Sequence, residues 1–232
     1  MAKRILIWGS TRVGKTALLA TALFSGAPEL SVLSGKSEGG ALYTRLFEAW
    51  LRLSRNQFVP ATSVDENVIG FRISEQQQVE LVDVRGRLAT SLGVEQGARE
   101  LLASADAVLF LAEYESPEQQ IQMNAIQAAV VGHEKRPMAF ALTKCEVRLR
   151  HEDPVWDAHP GWLRNTPFYR NHSRLLQYFH DSAWPTSAFG YAEPERLPAI
   201  ILGEFGQSLP FRIQPRNVAL PLAYLLGELG CL

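Results

Sequence analysis

Ile5-Leu6-Ile7-Trp8-Gly9-Ser10-Thr11-Arg12-Val13-Gly14-Lys15-Thr16 opens the chain with a short apolar run that breaks directly into the pattern G-x-x-x-x-G-K-[ST]. The run reads as a buried strand ending at Trp8, and Ala17-Leu18-Leu19-Ala20-Thr21-Ala22-Leu23 continues beyond the loop as a helix. Glycines let the backbone wrap a polyphosphate, while the helix turns its unpaired amides and positive dipole end toward that charge. The stretch therefore predicts a phosphate-binding loop built from Gly9, Arg12, Val13, Gly14, Lys15, Thr16 and Ala17. The Lys15 ammonium is expected on the outer phosphates, where it serves binding and catalysis, and the Thr16 hydroxyl on Mg²⁺.

Ser25-Gly26-Ala27-Pro28 should stop the first helix near Phe24. Leu42, Leu46, Ala49, Trp50 and Leu53 fall at helical spacing within 41–53 and read as a core-facing stripe. Val68–Ile73 and Val79–Asp83 flank a polar turn and read as a hairpin. Val94–Ala105 reads as a helix, Ala107–Ala112 as a buried strand, Pro117–Val131 as a helix and Met138–Leu142 as another buried strand. This alternation predicts an α/β fold: a doubly wound, mostly parallel sheet with one antiparallel hairpin strand. Arg148–Trp184 departs from the βα rhythm, with a helix expected at Ser173–His180, and Pro194–Pro215 reads as extended or looped. Asn217–Leu229 reads as a closing apolar helix with Pro221 in its first turn.

The 232 residues, 47% of them hydrophobic, are expected to form one domain over 1–232, with insertions at about 29–60 and 148–184. A formal net charge of −1 gives no general electrostatic basis for binding nucleic acid or a membrane surface. No apolar run approaches the roughly 18 residues of a membrane span, and the N-terminal stretch is too short for a signal peptide, so a cytoplasmic protein is expected. Cys145 and Cys231 have neither a disulfide framework nor metal-ligand spacing, and the five histidines have none either.

Asp83-Val84-Arg85-Gly86 follows the strand Val79–Asp83 and forms D-x-x-G. In that pattern the Asp83 carboxylate holds Mg²⁺, and the Gly86 amide reaches the terminal phosphate because no side chain intervenes. Thr143-Lys144-Cys145-Glu146 follows the strand Met138–Leu142, at the sheet edge where an open α/β fold collects its ligand.

The order of phosphate loop, D-x-x-G, Thr143-Lys144-Cys145-Glu146 and then Thr186-Ser187-Ala188 resembles the Ras-like small GTPases of the translation-factor and Ras-like P-loop class. The resemblance covers residues 3–146 and 184–190. It implies a Ras-like G domain that binds GTP and GDP with Mg²⁺. Lys144 would lie along the guanine ring, Glu146 would accept from its N1 and exocyclic amine, and Ser187 and Ala188 would supply backbone contacts to its oxygen. Glu146 stands where the family usually has Asp, and Thr143 where it usually has Asn. The segment ahead of Pro60-Ala61-Thr62, the aromatic excursion and the run Pro215–Leu222 look similar to the bacterial double-GTPase group.

A threonine sensing the third phosphate belongs between the first helix and the D-x-x-G strand. Thr62 is the choice, with Ser63 as the alternative, and it would join Mg²⁺ when the third phosphate is present. Arg87 follows Gly86 where the class usually carries a water-orienting glutamine, so intrinsic hydrolysis should be slow. Arg12, Arg85 or Arg87 could stabilise transition-state charge. Trp156, Trp162, Phe168, Tyr169 and Trp184 are expected to pack a small local core in the excursion. A protein effector or regulator is expected at residues 29–67, 84–97 and 148–184. Two rival readings are a GTP-dependent scaffold with little hydrolysis, and a P-loop ATPase.

Overall fold

Strand β1 (Lys3–Trp8) lies at the middle of a six-stranded sheet, and its side chains alternate between two cores. Ile5 and Ile7 enter one cluster, Leu6 and Trp8 the other, and all four are fully buried. The computed structural model describes residues 2–54, 66–84, 86, 89, 96–147, 149, 156, 166–192, 197–198, 201–203, 206–208 and 214–232.

The remaining strands are β2 (Glu66–Arg72), β3 (Gln78–Val84), β4 (Ala107–Glu113), β5 (Met138–Thr143) and β6 (Ala183–Pro185), in the spatial order β2-β3-β1-β4-β5-β6. β2 and β3 form the antiparallel hairpin; every other neighbouring pair is parallel. This is the doubly wound, mostly parallel sheet with one antiparallel strand that the alternation of elements predicts. The central strands β4 and β5 are buried almost along their whole length, as a sheet covered on both faces requires.

One face carries α1 (Lys15–Phe24), α2 (Ala41–Ser54) and, near the chain's end, the helix Leu220–Glu228. The stripe on α2 is buried as expected at Leu42, Leu46, Ala49 and Leu53, while Trp50 is half-buried. The opposite face carries α3 (Gln96–Ser104), α4 (Gln119–Val130) and α5 (Pro167–Leu176). The Leu220–Glu228 helix, α6 from here, has Pro221 in its first turn, where the missing N–H costs nothing. Among the described residues, no helix is long and apolar enough to cross a membrane.

Three features differ from the sequence reading. β6 is an additional strand, only three residues long and ending in Pro185, which a periodicity reading passes over. α5 begins at Pro167 rather than Ser173: the Thr166 hydroxyl accepts from the Tyr169 amide at 3.1 Å and caps it. The described aromatics of the excursion do not form a local core of their own. Phe168 and Trp156 join the main cluster, with Phe168 stacked 5.8 Å from Tyr114, and Trp184 reaches the opposite face against Tyr224 at 5.5 Å. Trp162 lies outside the described residues.

Candidate functional site

Parallel strands deliver all their carboxyl ends to one edge of the sheet, and the sequence motifs lie at that edge. Ile7 of β1 pairs with Asp83 of β3, one residue before the phosphate loop leaves the sheet. Glu113 of β4 pairs with Thr143 of β5, and Leu142 with Pro185 of β6. The loops 9–14, 144–147 and 186–190 therefore leave the same edge of the sheet, from β1, β5 and β6, with the end of β4 between the first two.

The phosphate loop closes on itself through Lys15, whose ammonium donates to the Gly9 carbonyl at 2.6 Å and the Ser10 carbonyl at 3.0 Å. Gly14 stands just ahead of α1 at φ 92°, a left-handed conformation that favours glycine. Its carbonyl accepts the Leu18 amide at 2.9 Å. Arg12 also has a positive φ, 67°, and is exposed, whereas Val13 is buried. Thr16 occupies the first turn of α1 and Ala17 follows it half-buried. Within the loop the Ser10 hydroxyl is buried without a hydrogen-bond partner.

Gly86 packs directly on this loop. A Cβ built there would fall 2.2 Å from the Thr11 amide nitrogen, so only glycine permits the approach. Thr62, Ser63, Arg85 and Arg87 lie outside the described residues.

Asp83 is 6% exposed and meets a residue that the motif reading passed over. Arg45 of α2 donates from Nη2 to Asp83 Oδ2 at 2.7 Å, while Asp83 Oδ1 is buried without a hydrogen-bond partner. The Nε and Nη1 of Arg45 are buried and equally unpartnered. Burial pushes the Asp83 carboxyl above its ordinary range, and the charges of Lys15 and Arg45 pull it back only in part. Burial likewise lowers the Lys15 ammonium, with Asp83 opposing and Arg45 adding to the effect. Two cations around one carboxylate leave a net positive site, suited to an anion. A signal for Arg45 was present in the sequence. It falls between Leu42 and Ala49 on the buried stripe, where a charge needs a partner.

The loop that follows β5 is tied to the phosphate loop. The Thr143 hydroxyl lies 2.7 Å from the Val13 carbonyl and 3.1 Å from that of Ala112. Lys144 has φ 58° and its ammonium sits 2.9 Å from the Glu113 carboxylate. Glu146 is 3% exposed, and neither of its carboxylate oxygens has a hydrogen-bond partner of normal geometry. Burial raises its carboxyl, as does the charge of Glu113; the nearby Ser187 hydroxyl, its own amide and Lys144 ease it in part.

The loop at 186–190 stands against this turn: the Cys145 amide donates to the Thr186 carbonyl at 3.2 Å, and Thr186 donates its own amide to Leu142 at 2.7 Å. Ser187 is fully buried, its hydroxyl accepting the Gly190 amide at 2.7 Å, and Ala188 is half-buried. A late segment braces it. Ser187 and Arg216 exchange backbone bonds at 3.0 and 2.9 Å, and the Gln214 amide donates to Phe189 at 3.1 Å.

No family model and no curated protein matches the chain. Among solved structures, it is similar to a variant of Aquifex aeolicus Era bound to GDP.AlF4-, at 16% identity and a TM-score of 0.42, over 81% of this chain and 51% of that one. It is also similar to the G domain of the T. maritima FeoB iron transporter, at 16% identity and a TM-score of 0.42, over 81% of this chain and 89% of that one. The chain thus spans about half the length of the Era chain.

Proposed function

We propose that this chain is a guanine-nucleotide switch of the Ras-like P-loop class, binding GTP and GDP with Mg²⁺ and hydrolysing GTP slowly on its own. The phosphate loop, Lys15 and the net positive charge around Asp83 support triphosphate binding. Thr16 and Asp83 fit a divalent cation, because Asp83 carries a buried carboxylate oxygen with no hydrogen-bond partner at the loop. When bound, the cation would neutralise phosphate charge; Thr62, which the resemblance assigns to the same ion, completes the proposed set. Slow turnover rests on Arg87, since a cation cannot accept a hydrogen bond from the attacking water.

The observation that carries guanine is Glu146, with two buried oxygens and no partner of normal geometry. Guanine offers two adjacent N–H donors to such a pair of acceptors. Adenine offers an acceptor at the corresponding ring nitrogen and would leave the carboxylate buried and unpaired. Lys144 would lie along the ring and the loop at Ser187 and Ala188 would meet the guanine oxygen. We read 1–232 as one such domain with insertions near 29–60 and 148–184, and residues 29–67, 84–97 and 148–184 as the surface for a protein effector or regulator.

Competition binding tests the reading. GTP and GDP should displace a fluorescent guanosine diphosphate from the folded chain while ATP does not, and Glu146→Ala should erase that preference. Equal displacement by ATP, or no binding of any nucleotide, would overturn it.

A further inference from the structure

The contact between Arg45 and Asp83 places a protein cation on the carboxylate that the proposed function assigns to Mg²⁺. Arg45 uses one donor on one oxygen. Its Nε and Nη1 remain buried and unpartnered, as does Asp83 Oδ1, so the pair is not the saturated fork that guanidinium and carboxylate can form. Lys15, the second cation near Asp83, is already committed to the Gly9 and Ser10 carbonyls. Arg45 also belongs to α2, whose Leu42, Leu46, Ala49 and Leu53 are packed in the core, so its guanidinium cannot leave without rotating the side chain or shifting the helix.

Resting on that reading of the site, we infer that Arg45 is a built-in competitor of the divalent cation for Asp83. Arg45 neutralises the buried carboxylate while the metal position is free, and it must withdraw before Asp83 can ligate Mg²⁺. Two like charges of this size cannot share one carboxylate in a poorly solvated site without a repulsive cost. The affinity for Mg²⁺ is thereby weakened, and loading of the metal is linked to the position of α2, which lies between the phosphate loop and the β2–β3 hairpin in sequence. Linkage is reciprocal: whatever holds α2 with Arg45 withdrawn favours the metal-bound nucleotide state.

The experiment is a Mg²⁺ titration, starting from excess chelator, of the folded chain holding a fluorescent guanosine diphosphate. Wild type, Arg45→Met and Arg45→Lys are compared. Arg45→Met should move the Mg²⁺ midpoint to lower concentration by about tenfold or more, with Arg45→Lys between it and wild type. Amide exchange over Ala41–Ser54 should rise in wild type when Mg²⁺ is added to the nucleotide complex, and change little in Arg45→Met. A midpoint within about twofold of wild type in both variants, or one moved to higher Mg²⁺, overturns the inference while leaving the guanine reading standing. A wild-type chain that is folded but binds no nucleotide overturns both. If Arg45→Met does not fold, Arg45→Lys and the exchange measurement on wild type decide the matter.

Discussion

The Thr143 hydroxyl lies 2.7 Å from the Val13 carbonyl, joining the end of β5 to the phosphate loop across 130 residues of sequence. Both groups are buried, and the same hydroxyl is 3.1 Å from the Ala112 carbonyl. The bond fixes the spacing between the two loops that would hold the phosphates and the base.

Replacing Thr143 with Val keeps the shape and removes the hydroxyl, leaving a buried carbonyl unsatisfied. A loss of about 1–3 kcal/mol is expected, read as a fall of roughly 2–4 °C in Tm for each kcal/mol. Thr143→Ser keeps the donor and should recover most of that loss. Equal melting of Thr143→Val and wild type would show that the link is not structural.

Lys15→Met should abolish measurable nucleotide binding, because on the proposed function its ammonium is the loop cation that turns from the Gly9 and Ser10 carbonyls to the outer phosphates. The free protein should change by no more than about 1 kcal/mol, since the lost hydrogen bonds are offset by relief from burying a charge. Nucleotide affinity by calorimetry and chemical denaturation of the free protein separate the two effects.

Glu146→Gln gives a pH signature. Burial raises the folded-state carboxyl above its unfolded value, so the folded protein holds the proton to higher pH than the unfolded chain does. The destabilising contribution is absent below the unfolded carboxylate range, grows as pH rises and is complete above the folded value. Glu146→Gln should therefore melt like wild type in acid and increasingly above it toward neutral pH, by on the order of 1 kcal/mol. A stability gap independent of pH would rule out this origin.

Gly86→Ala sets a methyl group against the backbone of Thr11 and Ser10. Backbone cannot yield as a side chain can, so a cost of about 1–3 kcal/mol is expected in urea denaturation. If the Gly86 amide meets the third phosphate, as the D-x-x-G pattern implies, release of a GTP analogue should quicken more than release of GDP.

Much of this architecture was legible in the residues. Buried strands such as Ala107–Glu113 announce themselves as unbroken apolar runs, and a glycine-rich loop ending in Lys15-Thr16 has few other uses. The features that escaped are set by distance or brevity. β6 has too few residues to show a period, and its proline argues against a strand. The start of α5 was legible in principle, since Thr166-Pro167 is a cap followed by a proline at the first helical turn. Arg45 was hidden because its partner is 38 residues away; the stripe showed where it sat but not what it would meet. Thr143 is placed by its motif in sequence, but its bond to the Val13 carbonyl joins residues too far apart for any local pattern to show.

The backbone exchange between Ser187 and Arg216 has a consequence for biogenesis. Synthesis passes the phosphate loop about 200 residues before Arg216, so the turn beside Glu146 gains its brace only after Arg216 has emerged. A nascent chain could grip a polyphosphate early and without regard to its base. On the proposed function, discrimination among purines would wait for that brace.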